Sequence, residues 1–329
     1  MHWLGAEIDG PLVGIRAIHF AATAMTTGIL IFRALVADAA FGPSTPGASI
    51  VRATTLRLAW TSLVISAATG MIWFLLEAAS MSGLSFAEAM TSDVFLTVVN
   101  ETQFGRVLET RLVLAVILAG CLGYDRFPLM RGFALAISIG LIAAIAWTGH
   151  AGSTTGEMGI LHLAADTLHL LAAAIWIGGL VSLALLLSVA GPDRTSAGLS
   201  FAREATERFS TMGIAVVAVV LATGIINTWI LVGSLHALLV TGYGQLVLLK
   251  IALFAIMLLF AAANRFWWTP RLALPGSMPP REALGRIARN SMIEIALALM
   301  IFAIVGALGT LHPAIHAVVS DAPMQQPSR

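Results

Sequence analysis

The sequence predicts an all-α, polytopic membrane bundle, and three observations carry that prediction. Of the 329 residues, 58% are hydrophobic and only 11% charged, whereas soluble domains carry about 25% charged residues. Eight apolar segments reach the roughly 20-residue length that spans a bilayer as a helix. They lie near 11–35, 57–77, 107–124, 131–150, 160–189, 209–232, 245–263 and 291–311. The third observation is charge placement. Under strict alternation, thirteen arginines fall in one set of loops (33, 52, 57, 126, 131, 194, 203, 208, 265, 271, 281, 286, 289) and three in the other (106, 111, 329). Basic loops stay cytoplasmic, so the expected topology is eight spans with both termini periplasmic.

No linker or soluble domain separates these segments, so residues 1–329 read as one integral membrane domain. The start, MHWLGAEIDG, lacks the basic opening of a cleaved signal. The first apolar segment is therefore expected to remain as a helix. Residues 84–105 are too polar to span and read as an amphipathic helix on the outer surface. Trp3, Trp73, Trp147 and Trp229 sit near outer boundaries, and Trp60, Trp267 and Trp268 near inner ones, as interfacial anchors do. Trp176 lies mid-span before Gly178–Gly179, a pair that allows close helix approach.

Several functions are excluded or unsupported. One cysteine, Cys121, forbids an internal disulfide and any CxxC pair. The single lysine, Lys250, lies in LVLLKIALF, so there is no phosphate-binding P-loop. The arginines are explained by topology, which leaves nothing to support nucleic-acid binding. No HExxH general base accompanies the histidines.

The chemistry concentrates in the fifth apolar segment, HLAADTLHLLAAAIWIGG, over 162–179. His162, Asp166 and His169 stand at i, i+4 and i+7, on one face of a helix and about 10 Å from end to end. Ionisable side chains inside a membrane are costly unless they face one another or a protected cavity. Under the expected topology all eight histidines lie in the outer half, with His19 and His169 deepest. Imidazole suits copper, zinc, iron and nickel. His19, His150, His162, Asp166 and His169 are the candidate metal ligands, with Asp166 either binding directly or orienting a histidine. The acidic outer residues, Glu77, Glu88, Asp93, Glu101 and Glu157 among them, would concentrate cations there. Met25, Asn227 and Met257 are the available stations further inward.

The chain also resembles the copper resistance protein D (CopD) family of bacterial membrane proteins. The likeness is carried by GHAG at 149–152, HLAADTLHLLAAAIWIGGL at 162–180 and RFSTMGIAVVAVVLATGIINTW at 208–229. It continues through TGYGQLVLLKIALFAIMLLFAAANRF at 241–266 and IEIALALMIFAIVGALGTLHPA at 293–314. It is strongest over about 150–314, while RAIHFAATAMTTGILIF at 16–32 and TQFGRVLETR at 102–111 are similar in the first half. The resemblance implies an eight-span inner-membrane protein of copper homeostasis. Such a protein would take copper from the periplasm inward, often beside a small periplasmic copper carrier of the CopC type. It also implies that His19, His150, Asp166 and His169 fall where the family has these residue types.

Three functions follow as expectations. The first is a copper conduit with a His/Asp site between spans one, four and five. The second is a b-type haem protein exchanging electrons with quinone, its axial ligands drawn from the same imidazoles. The third is a non-transporting copper sensor, or partner of a carrier. The protein is not expected to be an enzyme.

Overall fold

The computed structural model describes residues 2–3, 6–7, 10–40, 48–89, 91–190, 196–272 and 279–315. Nine helices of ten or more residues occur among them. They are α1 (Gly10–Phe32), α2 (Ala48–Ser82), α3 (Ser92–Glu101), α4 (Gln103–Gly123), α5 (Pro128–Ala143), α6 (Gly156–Ala190), α7 (Ser196–Val232), α8 (Gly242–Ala263) and α9 (Pro280–Leu308). Apart from short helical turns, the remainder includes a two-residue antiparallel pairing of His2–Trp3 with Ala6–Glu7. The molecule is an all-α helical bundle, as expected.

Seven helices among the described residues are long and apolar enough to cross a membrane. The segment expected at 107–124 is α4, which has the length but carries Arg106, Glu109 and Arg111 in its first half. The expected surface helix over 84–105 is a short turn at Phe86–Ala89 followed by α3, with a break at Thr102. Its apolar face, Val94, Phe95 and Val98, packs on Phe74 and Leu108, while Asp93, Asn100 and Glu101 are exposed.

Helix starts follow local chemistry. Pro128 opens α5, where a missing N–H costs nothing. The hydroxyls of Thr102 and Thr241 accept from Gly105 N (2.9 Å) and Gly244 N (3.0 Å), satisfying amides at the starts of α4 and α8. Two spans end in π-helical turns, Arg33–Ala37 after α1 and Asn264–Trp268 after α8.

The most enclosed helix is α1, which packs on α2, α5, α6 and α9. Apart from Met25, its AATAMTTG run, residues 21–28, is built of small side chains, the residue type that lets helices approach closely where lipid supplies no hydrophobic drive. Gly28 lies against Ala174 and Gly178 of α6, and a Cβ at either glycine would collide with the facing backbone. By contrast α7 and α8 are largely exposed along their apolar lengths.

Polar contacts at the two ends fix the alternation of the helices. At one end Arg16 of α1 meets Glu77 of α2 (3.8 Å), and Gln103 Nε2 of α4 donates to Trp147 O (3.1 Å) and Gly152 O (3.2 Å). At the other, Arg33 donates twice to Asp125 (2.8 and 2.7 Å), while Asp38 gathers Arg33, Arg52 and Arg131. The first end also carries His150, His162, His236 and His312; the second is arginine-rich.

One tryptophan expectation changes. Trp73 is not an exposed anchor: it is 2% exposed, packs against His19, Phe20 and Phe104, and donates to Glu77 Oε2 (3.0 Å). Trp147, Trp229 and Trp267 are exposed, as anchors should be. Trp3 lies outside the residues whose side chains are described.

Candidate functional site

The candidate ligands divide between two places. His19 lies on α1, buried among α2 and α4. Its Nδ1 is 2.9 Å from the Ser66 carbonyl, which can only accept, so the proton sits on Nδ1; Thr69 Oγ1 is a further 3.2 Å neighbour. Nε2 must then accept, and Arg111 Nη2 donates to it at 2.6 Å. Arg111, 4% exposed, also donates to Leu141 O (3.1 Å) and Thr23 Oγ1 (3.3 Å). Thr23 and Ser66 share a further hydroxyl contact of 2.7 Å. One guanidinium and one neutral imidazole thus tie α1, α2, α4 and α5 together. With both nitrogens engaged, His19 has no lone pair to offer a metal in this arrangement.

Sequence reasoning missed Arg111 by assigning it to an outer loop. The available signal was its register: seven residues after Phe104, it lies on the same face of α4 as Phe104, which packs on Trp73.

The other place is the face of α6 turned to α7 and α8. Asp166 Oδ1 accepts from Asn227 Nδ2 of α7 (3.2 Å) and interacts electrostatically with Lys250 and Tyr243 of α8. His169 Nδ1 lies 2.9 Å from Thr223 Oγ1. The Thr223 hydroxyl already donates to Val219 O (2.6 Å), so it accepts from His169, leaving the lone pair on Nε2. Gly224 lies beside the same ring, with room there for no more than a small side chain. Lys250 therefore lies within electrostatic range of Asp166. Asn227, expected further inward, stands beside Asp166 with its Oδ1 buried and unpartnered.

One turn nearer the histidine-bearing end, His162 is 1% exposed, with Nδ1 2.8 Å from Thr154 Oγ1. Thr154 donates to His150 O (2.9 Å), and the two imidazoles lie within electrostatic range. His150 meets the Tyr243 ring edge-on at 6.3 Å. A cavity of about 860 Å³ opens here, lined by His150, Thr154, Trp229, Thr310 and His312 among others. His236 is exposed; His316 lies outside the described residues.

The expected convergence of spans one, four and five is therefore not what the geometry gives. His162, Asp166 and His169 do share a face, but that face meets α7 and α8, and His19 is committed to Arg111. Among the described residues, no group of three or more His, Cys, Asp or Glu side chains is placed to hold a metal ion. Met25 and Met257 pack in the apolar core.

Comparison with known proteins agrees with the sequence motifs. The family pattern "Copper resistance protein D-like, N-terminal domain" matches residues 7–160, and "Copper resistance protein D" matches residues 203–308. Copper resistance protein D of Pseudomonas syringae pv. tomato is 29% identical over 254 residues, which is 75% of this chain and 80% of that protein. Inner membrane protein YebZ of Escherichia coli (strain K12) is 25% identical over 311 residues, covering 92% of this chain and 98% of the relative. Copper transport protein CutJ of Bacillus subtilis (strain 168) is 39% identical over 145 residues, but these are only 24% of its length. No solved structure matches the chain. With both family patterns in order along a bundle of apolar helices, this chain belongs to the copper resistance protein D family and is a copper-related, multi-pass protein of the inner membrane.

Proposed function

We propose that the protein admits copper at its histidine-bearing end and passes it inward along the face of α6 that meets α7 and α8. Family membership supports the cargo. The arrangement of Asp166 and His169 supports the route: a carboxylate and an imidazole one helical turn apart, the imidazole with its Nε2 lone pair unspent.

A two-donor station suits conduction, because binding must stay weak enough for the ion to leave. The cavity beneath His150 and His312 is the place where copper would gather before reaching Asp166. A copper ion and an ammonium repel each other and compete for the same carboxylate, so Lys250 acts as a gate in this reading. While it faces Asp166 it competes with the ion, and it must move aside for the ion to pass. His19 has no part in coordination here and instead holds the α1–α2–α4 junction around Arg111.

The test is copper uptake into proteoliposomes, with and without a membrane potential. Asp166→Asn and His169→Ala should each lower the rate at least tenfold while reconstitution is unchanged. Uptake equal to that of the unaltered protein in both variants overturns the route. Absence of uptake by the unaltered protein favours the reading in which it senses copper, or receives it from a carrier, without transporting it.

A further inference from the structure

A second polar cluster lies toward the arginine-rich end, away from every histidine. Glu294 of α9 is 1% exposed and near the middle of its helix. Its Oε1 accepts from Asn264 Nδ2 (3.0 Å), and Asn264 Oδ1 accepts in turn from Asn290 Nδ2 (2.9 Å). The Trp176 indole of α6 also faces the carboxyl group. Ser291, 0% exposed, has a hydroxyl with no hydrogen-bond partner. No basic side chain among the described residues forms an ion pair with Glu294. The one arginine nearby, Arg265, is turned to Ser210, donating to its carbonyl (2.8 Å) and hydroxyl (2.9 Å).

Trp176, Asn264, Ser291 and Glu294 are among the residues lining a cavity of about 340 Å³ between α6, α7, α8 and α9. That volume lies within the range of about 300–1,000 Å³ typical of small-molecule sites. The rest of its lining is mainly apolar, with Thr206, Ser210, Arg265 and Thr269 the polar exceptions, and its exposed members are Ile214 and Phe266. The π-helical turn at Asn264–Trp268 puts Asn264 and Arg265 on the cavity together; such insertions recur at functional sites.

The polarity runs inside out for a phospholipid. A lipid would leave its headgroup at the mouth and send acyl chains inward. Here Ser291 and Glu294, among the most buried lining residues, carry hydrogen-bonding groups, while the exposed lining residues, Ile214 and Phe266, are apolar. The occupant must carry a neutral polar head that desolvates cheaply, enters first, and trails an apolar tail into the bilayer. That head must also satisfy both a carboxyl acceptor and an orphan hydroxyl. We infer that the cavity between α7 and α8 binds an isoprenoid quinol, ring first, with its hydroxyls at Glu294 and Ser291. This inference stands apart from the copper route, since it shares no residue with it.

Gly213 of α7 provides the test, because it lines the cavity and a Cβ there meets nothing within 4 Å. Gly213→Phe should fill the space without disturbing the helices around it. The experiment titrates purified, reconstituted protein with a short-chain quinol analogue, read by quenching of tryptophan fluorescence. Mass spectrometry identifies the native molecules that co-purify with the protein. Saturable binding is expected, weakened at least tenfold by Gly213→Phe and several-fold by Glu294→Gln, with copper uptake by Gly213→Phe retained. Binding indifferent to Gly213→Phe overturns the inference. So does recovery of a phospholipid or fatty acid at one per protein in place of quinone.

Discussion

His19 shows how one buried side chain can carry a fold without carrying the cargo. Its Nδ1–H is spent on the Ser66 carbonyl, and its Nε2 is an acceptor for a buried guanidinium that pairs with no carboxylate among the described residues. Removing the imidazole leaves the Arg111 charge short of an acceptor, at a cost of about 1.5–3 kcal/mol for a lost charged hydrogen bond. His19→Ala is therefore expected to lower the thermal unfolding temperature in detergent while copper affinity at Asp166 and His169 is unchanged. A variant of unaltered thermal stability that has lost copper would instead return His19 to the ligand set. Sequence alone could not separate these roles. An imidazole deep in a span reads as a ligand, and its partner Arg111 lies more than ninety residues away.

At the scale of elements, the contact between α1 and α6 is set by the absence of side chains. Gly28 and Gly178 bring the two backbones together, and that approach positions the polar face of α6 toward α7 and α8. Gly178→Leu would force the helices apart, and overpacking of this kind costs about 1–3 kcal/mol or more. The expected result is lower yield and earlier thermal unfolding. Gly213→Leu, on the open side of α7, should be tolerated. Equal stability of the two variants would mean that the close approach contributes nothing. The importance of Gly178–Gly179 was legible as a mid-span pair of small residues. Which helix they meet was not, because an apolar stripe in lipid does not name its neighbour.

For the whole molecule, the charge asymmetry predicts an orientation that the pattern of end contacts does not by itself decide. Cys121 is buried and is the only cysteine, so Cys121→Ala gives a clean background. In intact cells, a membrane-impermeant maleimide should label His236→Cys and leave Arg126→Cys unlabelled. The opposite pattern would invert the molecule and the proposed direction of flow. The all-α class, the long apolar spans and the α6 stripe could be read from hydropathy and periodicity. Glu294 could not be read as more than a charge near a boundary, because its neighbours Trp176 and Asn264 come from two other helices.

The length of α7 has one more consequence. Thirty-seven residues rise about 55 Å, while the hydrocarbon core is only about 30 Å thick. The excess falls at its N-terminal end, where Arg203 pairs with Glu207 and Arg208 with Glu204. These turns present their charges outward while Phe201, Ala202 and Ala205 pack on residues of α1, α6 and α9. One unbroken helix therefore joins that charged, packed end to Thr223 and Asn227 at the other, so that a rigid shift of either end is felt at both.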